Sequence, residues 1–486
     1  MGLLTCALAT GEQIASKILM KQKSYLMLSG FFEPRGVVVV GASRNPGKGG
    51  YTVVENFVKT GFKDKVFPIN PHASEILGVR AYKSVKDVPK GVADLALILV
   101  PAEAVPTALH ECGECGIKNV IIESGGFAEV GNHELEREVV STAKRYGIRV
   151  MGPNSIGVVN TSSGLFTPYV SLLQIRGGGV AFVGQTGLFA SVFLEYFNER
   201  HIGISKIVCL GNKCDVDETD VLEYLGNDPE TKVICMYIEG VRDGRRLMTL
   251  AKRISKQKPI IVLKAGRTEL GRKAAASHTG TLAGDDKIYD AAFKQCGIIR
   301  VSYFEELFDV AKAFASQPLP NGKNVGIITV TGAGGVTAAD YCMERGLELP
   351  PLSKRTLEAV KRVFPEWASL GNPLDVWVAV EASGMERTYE ATTRALVEDE
   401  NVDALIVVLA AVSWTATDVK IFKNLGEECM RRGKSFLFVS LLGEYQIFKR
   451  CVETLEPEIP VFPTVERAVR ALAALVEYRD YVMASR

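Results

Sequence analysis

The sequence predicts an α/β protein built from parallel sheets covered by helices on both faces, and three observations predict it. First, a β-branched or apolar strand runs into a glycine-rich turn and then an amphipathic helix at three places. These are GVVVVGASRNPGKGGYTVVENFVKTG (36–61), GGVAFVGQTGLFASVFLEYFNER (178–200) and NVGIITVTGAGGVTAADYCMERG (324–346). Second, each is followed by more apolar strands separated by helical patterns: KVFPINP, ADLALILVPA and NVIIESGGF after the first, KIVCLGN, VICMYIEG and PIIVLKAG after the second, DALIVVLAAV and KSFLFVSLLG after the third. Strands that are apolar throughout, with helices between them, are what a parallel sheet buried on both faces requires. Third, 486 residues exceed one hydrophobic core, and the length corresponds to roughly three domains.

The rhythm breaks at NTSSGLFTPYVSLLQIRGGG (160–179) and at ASQPLPNGKN (315–324), which gives domains over 28–160, 161–318 and 319–486. Residues 1–27 read as an extension, because regular patterning begins only at FFEPRGVVVVGAS, and Met27 is a candidate start.

Composition excludes several function classes. Lys and Arg number 57 against 56 Asp and Glu, so no global field favours nucleic acid or an anionic membrane. No apolar run approaches the roughly 20 residues of a membrane span. The start MGLLTCALATGEQ lacks the basic residues of a signal peptide, and Cys6 stands where a myristoylation motif wants Ser or Thr. The ten cysteines are scattered, and the close pair Cys112 and Cys115 in HECGECG has no second pair to complete a zinc site. Thiols of a reducing cytoplasm are expected, and no metal.

The first glycine turn, GASRNPGKGG, is built to bring backbone close to a phosphate at a helix N-terminus. It is not a Walker loop: five residues separate Gly41 from Gly47, and Gly49 follows Lys48. A dinucleotide site wants an acidic residue at the end of the second strand, but that strand ends in Asn70 and Pro71. Ser43, Arg44 and Lys48 suit a ligand with more phosphates than NAD, such as coenzyme A. The turns VGQTGLF and TGAGGVT each offer free N–H groups and a helix dipole, worth about 0.3–1 kcal/mol toward an anion. Two such starts could hold a phosphoryl group between them.

KAAASHTGTLAGDD (273–286) sets one imidazole, His278, among small residues. It reads as an adjustable loop with Gly280 and Gly284 as hinges. Metal ligation would need partners, and only Asp285 and Asp286 are near in sequence. A nucleophilic imidazole needs its other nitrogen oriented by an acceptor, and Glu239 ends a buried strand of the same domain. DVDETD (215–220) lacks the glycine and distal glutamate of a calcium loop and reads as a capped helix start.

SHTGTLAG, together with GPNSIG (152–157), GNKCDVD (211–217) and GNPLDV (371–376) in the same order, resembles the nucleoside-diphosphate-forming acyl-CoA synthetases. The likeness is to the α subunit of ADP-forming acetyl-CoA synthetases and, more distantly, of succinyl-CoA synthetase, and it covers about Phe31 to Arg486. It implies a Rossmann-like CoA-binding domain followed by two flavodoxin-like domains of the succinyl-CoA synthetase type. It implies that His278 is transiently phosphorylated and that Glu239 orients it. Gly41, Ser43, Arg44, Lys48, Asn70, Pro71, Val100, Pro101, Glu123 and Ser124 are then implied to contact CoA or its acyl group, and Asn154 of GPNSIG the substrate. Gln185, Thr186 and Gly187 match one phosphate-holding helix start, where the commoner form is S-Q-S-G and this chain has Gly184 and Thr186 for the two serines. Gly334 and Gly335 match the other.

The implied reaction is acyl-CoA + phosphate + ADP = carboxylic acid + CoA + ATP, through an acyl phosphate and phosphohistidine. No part of this sequence is assigned to an ATP-grasp domain. A β subunit carrying ADP or ATP and Mg2+ is therefore implied, in an α2β2 assembly. Two other readings remain open on the residues, an NAD-dependent oxidoreductase using the first domain and a CoA-sensing protein with an inert histidine.

Overall fold

Four consecutive valines, Val37–Val40, form strand β1, and all four are buried. Each is β-branched, which suits a pleated strand covered on both faces. The computed structural model describes residues 28–171, 174–279, 284–412, 418–441 and 443–485, with 276–279 described by backbone alone. The expected extension 1–27 and the hinge Gly280 lie outside the described residues.

The first sheet contains β1, β2 (Val66–Ile69), β3 (Leu95–Ile98), β4 (Asn119–Ile122) and β5 (Arg149–Met151) in the order β2-β1-β3-β4-β5, all parallel. Its helices are α1 (Gly49–Lys59), α2 (Val105–Glu114) and α3 (His133–Tyr146). Cys112 and Cys115 fall at the end of α2 as free thiols, with Cys112 buried in the core.

The second sheet is built on β8 (Gly177–Gly184), β9 (Ile204–Cys209), β10 (Val233–Ile238), β11 (Ile260–Lys264) and β12 (Ile298–Val301), with α4 (Phe193–Glu199), α5 (Glu218–Asn227), α6 (Gly244–Ile254), α7 (Glu269–Thr279) and α8 (Asp286–Cys296). Two short antiparallel strands, β6 (Val158–Asn160) and β7 (Leu165–Phe166), extend its β9 edge, giving the order β12-β11-β10-β8-β9-β6-β7. Without those two strands it has the same order as the first sheet, with the chain's first strand in second place. Asp217 caps α5 by accepting from the N–H groups of Thr219 (2.8 Å) and Asp220 (3.2 Å), as DVDETD predicts.

The third sheet repeats the order again. It contains β13 (Val325–Thr329), β14 (Leu374–Asp375), β15 (Ala404–Ala410), β16 (Ser435–Leu441) and β17 (Val461–Phe462), arranged β14-β13-β15-β16-β17 and all parallel. Helices α9 (Phe304–Ser316), α10 (Gly332–Glu344), α11 (Lys354–Val360), α12 (Trp377–Ser383), α13 (Met385–Glu398), α14 (Lys420–Arg431), α15 (Tyr445–Leu455) and α16 (Val465–Ala484) surround it.

The described chain divides into two compact units, one holding the first two sheets and one holding the third with Arg200–Ile202. The first two sheets share a continuous core, in which Val37, Val39 and Leu97 belong to the same cluster as Val183, Met236 and Tyr224. Phe32 stacks on Tyr224 with ring centroids 4.4 Å apart. Within the other unit, Lys312 and Arg200 converge on the buried carboxylate of Glu456, at 2.6 and 3.1 Å, and Arg467 grips Asp309 through two nitrogens.

One expectation is corrected here. The stretch from Lys273 is not a loop at its start: α7 continues through His278 to Thr279. Alanine is the strongest helix former and Lys273–Ser277 is mostly alanine. The Thr268 hydroxyl accepts from the Gly271 N–H (3.1 Å), and Glu269 pairs with Lys273 one turn on (3.0 Å). Alanine is small but favours helix rather than looseness.

Candidate active site

A cavity of about 670 Å³ opens at the carboxyl edge of the first sheet, where the turns after β1 and β3 part. The strand order reverses there, which is where open α/β sheets bind ligands. Gly41 has a φ of +94°, and a Cβ on it would lie 2.7 Å from the Leu99 carbonyl oxygen. A Cβ on Gly50 would collide with the Gly41 carbonyl. The two glycines let the start of α1 close onto the strand end. Ser43, Lys48, Val100, Pro101, Glu123 and Ser124 line the cavity with Gly41, as does Tyr169. Nothing in the sequence singled out Tyr169, because it lies between the domain patterns.

Arg44, Asn70 and Pro71 are not among the lining residues. Arg44 and Pro71 are exposed. The Asn70 amide donates to the Ala42 carbonyl (2.8 Å) and its oxygen accepts from the His72 N–H (2.8 Å), tying the end of β2 to the glycine turn. Asn154 is exposed with a φ of +58°, and its N–H donates to the Ser124 carbonyl (2.9 Å).

Glu123 is 6 % exposed, and neither carboxyl oxygen has a hydrogen-bond partner among the described residues. Room for it comes from Gly157, where a Cβ would stand 2.8 Å from Glu123 Oε1. Burial without a partner pushes this carboxyl well above the ordinary glutamate range. Tyr169 is raised in turn, first by burial and then by Glu123.

The motifs GPNSIG, ESGGF and GNKCDVD interlock behind the cavity. The Asn212 amide donates to Glu129 (2.6 Å) and Glu136 (2.9 Å), and Glu129 accepts from the Gly126 N–H (2.6 Å), bracing the turn after Glu123. The Asn212 N–H donates to the Pro153 carbonyl (2.9 Å). Lys213, buried, donates to Glu218 (2.8 Å) and to the Gly240 carbonyl (2.9 Å), so this loop also holds the turn that carries Glu239.

Glu239 follows β10 and is buried. Its N–H and that of Gly240 both donate to the Gln185 side-chain oxygen, at 2.8 and 3.2 Å, and the Tyr237 hydroxyl donates to its carboxylate at 3.2 Å. Gln185 Nε2, buried, has no acceptor among the described residues. Lys264, at the end of β11 and overlooked in the sequence, is buried over the Tyr289 ring with Nζ 4.6 Å from its centroid. Burial lowers its pKa to about 8, against the opposing pull of Asp286.

The expected helix start at Gln185–Gly187 is instead a 3₁₀ turn, Leu188–Ala190, and α4 begins only at Phe193. The N–H groups of Ala190 and Ser191 bond three residues back, and the Ser191 hydroxyl occupies the Gly187 carbonyl (2.8 Å). Gly184, at the place of the commoner serine, leaves space for the Phe189 ring, which would lie 2.8 Å from a Cβ there. A Cβ on Gly187 would collide with Ile156. Thr186 Oγ1 accepts from the Leu188 N–H (3.3 Å).

His278 lies in the last turn of α7, and its side chain is outside the described residues. Helix α7 runs against the 3₁₀ turn Ala128–Val130, which follows the Glu123 turn of the first sheet. In the other unit, α10 starts at Gly332 with no side-chain cap, and Gly334 and Gly335 are buried in its first turn. A Cβ on Gly334 would stand 2.9 Å from Thr329 Oγ1. Asn372 of GNPLDV accepts from the Ile327 N–H (3.0 Å) and donates to the Val325 carbonyl (2.8 Å), securing β13.

Family models match residues 35–161 as a CoA binding domain, 177–314 as a succinyl-CoA ligase-like flavodoxin domain and 325–484 as a ligase-CoA domain. Acetate–CoA ligase [ADP-forming] II subunit alpha of Pyrococcus furiosus is 40% identical over 93% of this chain and 98% of its own length. The chain belongs to the ADP-forming acetate–CoA ligases. Acetate–CoA ligase [ADP-forming] II of Archaeoglobus fulgidus is 41% identical over 93% of this chain, which covers 67% of that longer protein. Among solved structures, the dinucleotide-forming acetyl-coenzyme A synthetase 1 of Ca. Korarchaeum cryptofilum, in complex with phosphate and ADP, superposes with a TM-score of 0.86 at 37% identity, over 94% of this chain and 98% of that one. Membership of the ADP-forming acetate–CoA ligases accords with the glycine turn that departs from a dinucleotide fingerprint. Among the described residues no helix is long and apolar enough to cross a membrane.

Proposed function

We propose that this chain is the α subunit of an ADP-forming acyl-CoA synthetase, acetate being the first acid to test. The observation that carries the proposal is the 670 Å³ cavity at the switch point of the first sheet, with the histidine-bearing α7 beside the turn Ala128–Val130. Ser43, Lys48 and the start of α1 hold the phosphates of CoA, and Val100, Pro101 and the Glu123–Ser124 turn hold its pantetheine and acyl end. Gln185 fixes the backbone of Glu239, whose carboxylate orients His278. The unpaired Gln185 Nε2 supplies a donor for a phosphoryl oxygen.

Phosphate attacks the thioester to give an acyl phosphate and CoA. His278 then takes the phosphoryl group, releasing the acid, and passes it to ADP. Gly334 and Gly335 leave the first turn of α10 open to backbone donation toward phosphate. The relative of matching length is named a subunit alpha, and this chain covers 67% of the longer one. Both support a β partner, read here as an ATP-grasp chain that binds the nucleotide and Mg2+ in an α2β2 assembly. The three-domain division at 160 and 318 accords with the family matches. All nine described cysteines are free thiols, which fits the cytoplasm.

Co-purification with a candidate β chain, followed by ATP synthesis from ADP, phosphate and a panel of acyl-CoAs, tests the proposal. Acid-labile, base-stable labelling that disappears in His278→Ala is expected. Tight NADH binding without CoA binding would sink it, and so would unlabelled wild-type protein in the active assembly.

A further inference from the structure

Of the cavity-lining residues, Lys48 is exposed, the Ser124 hydroxyl donates to the Val100 carbonyl (2.5 Å), and Tyr169 is more than a third exposed. Glu123 differs from all three: it sits at the end of β4, shielded from solvent, with neither oxygen hydrogen-bonded among the described residues. A buried carboxyl with no partner is costly to keep. The absence of a side chain at Gly157 preserves the space it occupies.

We propose that Glu123 is the proton-transfer group for the sulfur of coenzyme A. This rests on the acyl-CoA reading above. In the thioester-cleaving direction, a phosphate oxygen bonds to the acyl carbon, the C–S bond breaks, and its electron pair goes to sulfur. The sulfur takes the Glu123 proton, leaving CoA thiol and a carboxylate. In reverse, the carboxylate takes the thiol proton as sulfur attacks the acyl phosphate and phosphate departs. Proton transfer is most effective between groups of similar pKa, and an ordinary thiol titrates near 8.5. Burial moves the Glu123 carboxyl toward that value. Lys48 and Tyr169 share the cavity, and Cys209 is close enough to feel the Glu123 charge.

The test uses the α–β holoenzyme with acetyl-CoA, phosphate and ADP, and separately with acetyl phosphate and ADP, which has no thiol step. In Glu123→Gln, kcat from acetyl-CoA is expected to fall by about 100-fold or more, with KM for acetyl-CoA within about threefold of wild type. ATP synthesis from acetyl phosphate is expected to fall at least tenfold less than synthesis from acetyl-CoA. Wild-type kcat should decline as pH rises in the thioester-cleaving direction and decline as pH falls in the reverse direction, and E123Q should lose both limbs. An E123Q enzyme within about threefold of wild type on acetyl-CoA overturns the inference, and so does a parallel fall with acetyl phosphate or a defect confined to KM. A wild-type holoenzyme that uses acetyl phosphate but no acyl-CoA overturns the proposed function itself.

Discussion

Glu123 and Glu239 each stand one residue past the carboxyl end of a parallel strand, in two sheets that share one strand order. Both are buried. Glu239 is framed on every side that is described: Gln185 holds its backbone, Tyr237 donates to its carboxylate, and Lys213 fixes the next carbonyl. Glu123 has its backbone in the sheet, through a 3.0 Å bond to the Ile98 carbonyl, and no hydrogen bond on its carboxyl among the described residues. One position holds a carboxylate in a fixed direction. The other keeps a carboxyl out of water without a described hydrogen-bond partner, the environment of an acid that carries its proton. The same topology thus supplies an orienting group and a proton-transfer group, and neighbouring side chains decide which.

The comparison is sharpened most strongly at the group that Glu239 serves. His278→Ala should lower ATP synthesis by roughly 10⁴-fold or more, since a removed nucleophile leaves only binding and positioning, while CoA affinity measured by calorimetry stays within about twofold. Glu239→Gln keeps the shape and removes the charge that orients the imidazole. A loss of about 10²–10⁴ in kcat is expected, together with a shorter lifetime of the phosphorylated intermediate; unchanged phosphohistidine decay would remove Glu239 from this role.

Asn212 braces the turns of both sheets. Asn212→Ala removes one donor from each of Glu129 and Glu136, which keep the backbone N–H groups of Gly126 and Ala128, and should cost about 1.5–3 kcal/mol in chemical denaturation, with weaker CoA binding. Gly187→Ala drives a methyl into Ile156, an overpacking cost of about 1–3 kcal/mol. The double variant with Ile156→Ala should recover part of the loss if the clash is its source.

The smallest effect is the pH dependence that Glu123 gives to stability. The raised Glu123 pKa means that the native chain keeps a proton which the unfolded chain releases above about pH 4.3. Stability therefore falls as pH rises from there until the buried carboxyl itself ionises. Glu123→Gln lacks this slope, so its thermal midpoint relative to wild type should be higher at pH 8 than at pH 5. Equal differences at the two pH values would show that Glu123 carries no raised pKa.

Much of this is legible in the sequence. The run Val37–Val40, the glycine turn after it and the missing acid at Asn70 are local signals, and each reports backbone geometry or burial over a few residues. The quoted motifs identified the family for the same reason. His278 was legible as a residue and misread as a setting, because alanine-rich composition signals helix as readily as looseness. Tyr169 and Lys264 went unnoticed because one lies between patterns and the other reads as the last residue of a strand.

The sequence by itself determined most of the order of strands, turns and helices, and with it three α/β units. Those choices depend on spacings of two to four residues along the chain. Only the tertiary structure decided that Asn212 would meet Glu129, that Gln185 would clasp the Glu239 backbone, and that the Glu123 carboxyl would be buried beside the cavity without a described partner. Those partners are 83 and 54 residues apart, and Glu123 is distinguished by what does not reach it. No local periodicity encodes either fact, because both are settled by how separate strands and loops pack.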